Sequence, residues 1–182
     1  VASGLGTDGK TEVTTFAGTI DAAKAQSLVV KADGNLGAST FNAGEATSVT
    51  VNAANGSTGV VDINAAKATL VELTAGAAMN ITGSELSGAE SVTLTQNKGA
   101  LTGGVALSKV NTLTVSGAGT DSAITVGALG SSSQDYGITV NASGLKGGLT
   151  FGAAATNGDV NLNLSDVTGD VVGGTIGAAN VT

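Results

Sequence analysis

The side chains of this sequence that could take part in chemistry are fourteen carboxylates, seven cationic groups, one tyrosine and many hydroxyls, because its 182 residues include no His and no Cys. A Ser-His or Cys-His nucleophile is excluded, and zinc and haem lose their usual ligands. Paired Asp or Glu could still cleave a glycosidic bond. Sugar sites normally add aromatic platforms, however, and aromatic residues are 2% of this chain. No pair of carboxylates stands out, so the sequence predicts a protein that is not an enzyme. Tyr136 lies in the polar run SSSQDY (131–136), where a solvent-facing loop is the simplest expectation. GALTGG (99–104) lacks the Lys and Ser or Thr ending of a phosphate-binding loop and reads as a turn.

Charge narrows the partners. The formal net charge of −7 leaves no basic patch for nucleic acid, which would be repelled. No apolar run approaches the roughly 18 residues of a membrane-spanning helix. Val, Leu, Ile and Phe make up about 24% of the chain, slightly above the roughly 20% at which disorder becomes the default. Folding is therefore expected, around small aliphatic side chains. The chain starts at Val1 with neither an initiator Met nor a signal-like segment, which suggests a mature product or a piece of a longer protein.

The elements come from a repeat. SVTLTQ (91–96) returns as TLTVSG (112–117), and pairs of aliphatics flanking one residue begin at Leu28, Val49, Val71, Val92, Leu113, Ile138 and Val160, with Val181 opening a further unit. Successive members lie 21 or 22 residues apart, except for an interval of 25 that contains SSSQDY. A second series, Phe41, Val61-Ile63, Met79-Ile81, Leu101, Ile124-Val126, Leu149-Phe151 and Val171, falls half a period out of phase. Each unit is thus expected to hold two short strands joined by Gly, Asn, Asp and Ser turns. The run IDAAKAQSL (20–28) is the exception, since its Ala and Lys permit about two helical turns. The expected organisation is an N-terminal segment or cap over 1–27, with that short helix, and a repeat domain over 28–182 that continues in a longer parent.

Short strands at this spacing fit a parallel β-solenoid or an antiparallel β-sandwich. A sandwich must fill roughly 10 Å between its sheets with bulky residues, whereas a solenoid interior is narrow. The abundance of Ala and scarcity of aromatics favour an all-β parallel solenoid with coils of about 21–22 residues. Equivalent aliphatics then stack in inward columns, while Thr50, Glu72, Thr93, Thr114, Thr139 and Asn161 point outward. The rows Ser48-Thr50-Asn52, Ser91-Thr93-Thr95 and Thr112-Thr114-Ser116 would form a hydroxyl array of the kind found on ice-binding solenoids. Thr is also simply a good residue for an exposed strand.

The stretches VNASGLKGGLTFGAAATNGDVNLNLS (140–165), ESVTLTQNKGALTGGVALSKVNTLTVSGAG (90–119) and VDINAAKATLVELTAG (61–76) resemble the Ala/Thr/Gly/Val-rich repeats of bacterial surface-layer proteins and of large secreted adhesins related to the repeats-in-toxin group. The resemblance covers most of residues 28–182. It implies a structural protein on the bacterial cell surface, extracellular, acidic, often stabilised by calcium, and self-assembling into a lattice. A stalk of the adhesin or autotransporter type, binding a host or neighbouring cell, is the alternative it implies. Contact with cell-surface polysaccharide would run through further domains. The calcium nonapeptide of the repeats-in-toxin group is matched only in its second half, by Gly117, Gly119 and Asp121 of GAGTD, and no tandem copy follows. A second oxygen-rich stretch, DVNLNLSDVTGD, carries Asp159, Asn161, Asn163, Asp166 and Asp170. Its alternation also describes an exposed strand face followed by a turn.

Overall fold

A computed structural model describes residues 15–178 and 180. The strands in chain order are β1 (Thr15–Asp21), β2 (Ser27–Ala32), β3 (Asn35–Asn42), β4 (Ser48–Ala53), β5 (Val61–Asn64), β6 (Leu70–Ala75), β7 (Met79–Asn80), β8 (Ser91–Gln96) and β9 (Leu101–Thr102). There follow β10 (Thr112–Ser116), β11 (Ile124–Thr125), β12 (Leu129–Gly130), β13 (Ile138–Asn141), β14 (Leu149–Phe151), β15 (Ala154–Ala155), β16 (Val160–Asn163), β17 (Val171–Gly173) and β18 (Ile176–Gly177). Every pairing is parallel, between a strand and its counterpart one coil on. The described residues form a parallel β-solenoid of about seven turns and not an antiparallel sandwich.

One side is a continuous seven-stranded sheet in the order β2-β4-β6-β8-β10-β13-β16. Its inner rows stack Leu28, Val49, Val71, Val92 and Leu113 in register, one per coil. All are buried. Each such side chain contributes about 1.5–3 kcal/mol on leaving water, so the columns are the main source of cohesion between coils. Alternation along a strand sends the intervening residues outward: in SVTLTQ (91–96), Val92, Leu94 and Gln96 are buried and Ser91, Thr93 and Thr95 are half-buried on the outer face.

The other side changes along the axis. It begins as one strand per coil, in the sheet β1-β3-β5, and then divides into two short segments per coil, in the sheets β7-β9-β11-β14-β17 and β12-β15-β18. Bridges from Val60 to Asn80 and from Asn64 to Glu85 show both halves descending from the β5 strand. The division begins at Gly83, whose φ of +93° lies in the left-handed region. The later coils therefore hold three strand segments, where the sequence predicts two.

Two further expectations are corrected. The segment 20–28 is not helical: β1 runs to Asp21, a tight turn closes with Ala25 N–H donating to Ala22 O at 2.8 Å, and β2 starts at Ser27. The same turn recurs from Ala46 to Ala43 and from Ala68 to Ala65, so the Ala-rich run is a coil corner. Nine residues are too few to sustain a helix in isolation, and pairing with the next coil prevails through Ala22 N–H donating to Asn42 O. Coil structure accordingly begins within the expected cap, because β1 pairs with β3. Residues 1–14 and Val181 lie outside the described residues.

The second correction concerns register. Leu113 faces Val140, not Ile138, and Thr114 faces Asn141, not Thr139. Ile138 instead pairs with Val160 one coil further on, so after 131–136 the chain rejoins the sheet two residues out of the expected register. A slip of two keeps inward residues inward, and Ile138, Val140 and Val160 are all buried.

Candidate functional site

The turn that carries Gly117, Gly119 and Asp121 connects β10 to β11. Ser122 is buried and closes it: its hydroxyl oxygen accepts from Gly119 N–H at 3.2 Å, and its own N–H donates to Gly119 O at 3.1 Å. A methyl on Gly119 would lie 2.7 Å from Asp121 Oδ1, 2.9 Å from Asn97 O and 2.9 Å from Ser122 Oγ. One on Gly117 would lie 2.5 Å from Gln96 O. Both glycines are thus explained by close approach to the coil below. Asp121 is exposed, and it is the one carboxylate of the turn. Calcium takes six to eight oxygens, and among the described residues no three His, Cys, Asp or Glu side chains gather as a metal-holding group.

The stretch 159–170 is divided between two environments. Asn161 and Asn163 stand on the outer face of β16, and Asp166 and Asp170 follow in the next corner. Asn163 is engaged locally: it donates from Nδ2 to Asn141 Oδ1 at 3.3 Å and accepts from the Ser165 hydroxyl at 2.7 Å. Asp159 Oδ1 accepts from Asn180 Nδ2 at 2.9 Å. Asp166 has φ of 59°, a conformation that the preceding corner gives to a glycine, Gly144 at 74°.

These contacts belong to a set of rungs joining like positions on neighbouring coils. Asn64 donates to Asn42 Oδ1 at 3.0 Å, Asn157 to Asp135 Oδ1 at 3.2 Å, and the hydroxyls of Thr95 and Ser116 lie 3.2 Å apart. At an Ala-rich corner Lys67 reaches both oxygens of Glu45, at 2.8 and 2.7 Å. The signal was legible as identical or complementary polar residues at the coil period, such as Asn42 and Asn64 or Asn141 and Asn163. Two buried amides had no such signal. Gln96 Nε2 donates to Ala77 O at 2.7 Å, and Gln134 Nε2 to Val110 O at 3.2 Å. Gln134 closes the 131–136 turn in the manner of Ala46 and Ala68, with its N–H on Ser131 O at 3.1 Å. Tyr136 is half exposed and its hydroxyl donates to Lys109 O at 2.9 Å, which fastens the insertion to the coil beneath.

The hydroxyl rows fall on the outer face of the seven-stranded sheet, but β6 separates β4 from β8 and places Leu70 and Glu72 between them. The hydroxyl array is continuous only across β8 and β10, and gives way to Asn141 on β13 and to Asn161 and Asn163 on β16. In architecture the molecule is a parallel β-solenoid in which several polar side chains tie coil to coil. No family model matches the chain, and no curated protein or solved structure was found similar to it.

Proposed function

We propose that the chain is a structural segment of a bacterial surface layer, acting on the cell exterior as a stiff rod that assembles with further copies. The observation that carries this reading is the seven-stranded parallel sheet, in which buried aliphatic columns and outer polar rungs repeat the same contact from coil to coil. Such an array resists bending because backbone hydrogen bonds run along the axis at every step, and its stability approximates a sum over neighbouring coils. The mechanism is mechanical: load is shared among equivalent interfaces. The calcium candidate in this proposal is Asp121, the exposed carboxylate of the β10–β11 turn, which by itself supplies too few oxygens to hold the ion.

Electron microscopy of the purified chain with and without Ca²⁺ tests the reading. Ordered two-dimensional arrays are the expected result, and an Asp121→Asn variant reports whether any calcium response passes through that turn. A chain that stays monomeric under both conditions and instead binds a cell-surface receptor would favour a stalk.

A further inference from the structure

The outer face of the seven-stranded sheet has an uneven distribution of residue types. Reading along each strand, the outward residues are Ser27, Val29 and Lys31 on β2, Ser48, Thr50 and Asn52 on β4, and Leu70, Glu72 and Thr74 on β6. From β8 to β16 the outward positions of the strands are Ser, Thr and Asn. Lys31 and Glu72 are therefore the charged residues of this face, and they are of opposite sign. Its exposed large apolar residues are Val29, 61% exposed, and Leu70, 41% exposed. Both pairs are split in the same way, one member on β2 and the other on β6, the two strands that flank β4.

We propose that this face packs against the same face of a second copy, about a two-fold axis lying close to β4. An interface of this kind is self-complementary: what residue i meets on the partner, the partner's copy of i meets in return. An axis near β4 lays β2 of each copy over β6 of the other. Lys31 then lies beside Glu72 of the partner subunit, and Val29 beside Leu70 of the partner subunit. The members of each pair sit one outward position apart along the strand, roughly 7 Å. A lysine side chain spans much of that offset, and an angle of about 30° between the sheets recovers about 3 Å of it at the roughly 4.8 Å between neighbouring strands. Among the described residues neither Lys31 nor Glu72 has an ion-pair partner within its own chain. Thr50, on the axis strand, lies with its hydroxyl 3.4 Å from Glu72 Oε2.

Net charge supports the choice of face. At −7, copies repel wherever carboxylates meet, and most of the described carboxylates stand at the corners, among them Glu45 and Glu90 on one side and Asp33, Asp121 and Asp166 on the other. Face-to-face contact through the sheet leaves those corners at the solvated rim. The inference rests on the self-assembly proposed above and names its contact.

Sedimentation velocity on the full chain tests it, together with thiol cross-linking at an introduced Cys, which is clean because the chain has no Cys of its own. Lys31→Glu is expected to raise the dissociation constant about tenfold, as is Glu72→Lys, since each replaces attraction by like-charge contact at two symmetric places. The double variant K31E/E72K is expected to recover assembly, which a misfolded protein would not do. Thr50→Cys should be linked into a dimer by a short bis-maleimide that spans the roughly 10 Å between stacked sheets, whereas Thr150→Cys, on β14 across the solenoid, should not. Charge reversals that leave assembly unchanged, a double variant that does not recover it, or trapping at position 150 in place of 50, overturn this contact and leave the surface-layer reading standing. A wild-type chain that forms neither dimers nor arrays at any concentration overturns both.

Discussion

Replacing Leu113 by Ala removes a side chain that is fully buried between two neighbouring coils, where it faces Val92 on one side and Val140 on the other. The substitution deletes three carbons, worth about 2.4 kcal/mol of transfer at roughly 0.8 kcal/mol each. A cavity term is added, because the backbone ladders above and below limit collapse, so the total should fall at about 3–4 kcal/mol, within the range of buried Leu→Ala changes. The location of the damage is as informative as its size. Stability in a stacked array is a sum of nearest-neighbour contacts, so the β8–β10 and β10–β13 interfaces should weaken while β2–β4 is unaffected. Urea unfolding gives the magnitude, and amide hydrogen exchange gives the place. Thr114→Ala, one residue away on the outer face, serves as the control and should change stability by no more than about 0.5 kcal/mol. A loss below about 1 kcal/mol for Leu113→Ala, or exchange that rises equally in every strand, would refute the picture of independent stacked interfaces.

Gly76→Ala should prevent normal stacking of its coil, because the new methyl would lie 1.5 Å from Ala54 O; Gly44→Ala, with nothing within 4 Å, should gain about 0.4–1 kcal/mol through the unfolded state, and thermal melts compare the two. Asp166→Gly should raise stability by about 0.5–1 kcal/mol by relieving a left-handed φ of 59°, whereas Asp166→Val should lower it by about 1–2 kcal/mol, both read by urea titration. Lys67→Ala should cost only about 0.5 kcal/mol despite the 2.7 Å contact with Glu45, since the two side chains are 62% and 48% exposed, and that small loss should shrink further in 1 M salt.

The solenoid was legible because its core obeys one rule in every coil. Val49, Val71 and Val92 stand at equal spacing and are stacked in the structure. Legibility failed where local composition competed with the repeat. Ala22 to Ala25 favour a helix by propensity, yet Ala is equally suited to a tight corner packed under its neighbour, and the same turn two coils later has the same composition. The 131–136 insertion hid the register because spacing alone cannot tell Ile138 from Val140 as the partner of Leu113: both are inward aliphatics. Of the candidate ion site, the sequence identified the turn and its lone exposed carboxylate. It did not indicate that Gly117 and Gly119 are required by the backbone of the coil below. The polar rungs and the split of charged and apolar residues about β4 depend on which coil lies over which, and become visible only once the strands are aligned.

The two-residue slip after the insertion shows where this molecule can change length. Coils of 21 and 22 residues follow one another earlier in the chain with oil still facing oil, so a corner absorbs an odd step as readily as an even one. What each coil keeps is the inward phase of its strand. A one-residue shift in the pairing itself would turn Val140 and Leu162 out to water and Asn141 and Asn163 into the interior. Lineages of such a chain would therefore vary in length at their corners, while the phase of the strands between them acts as the conserved quantity that residue identity is not.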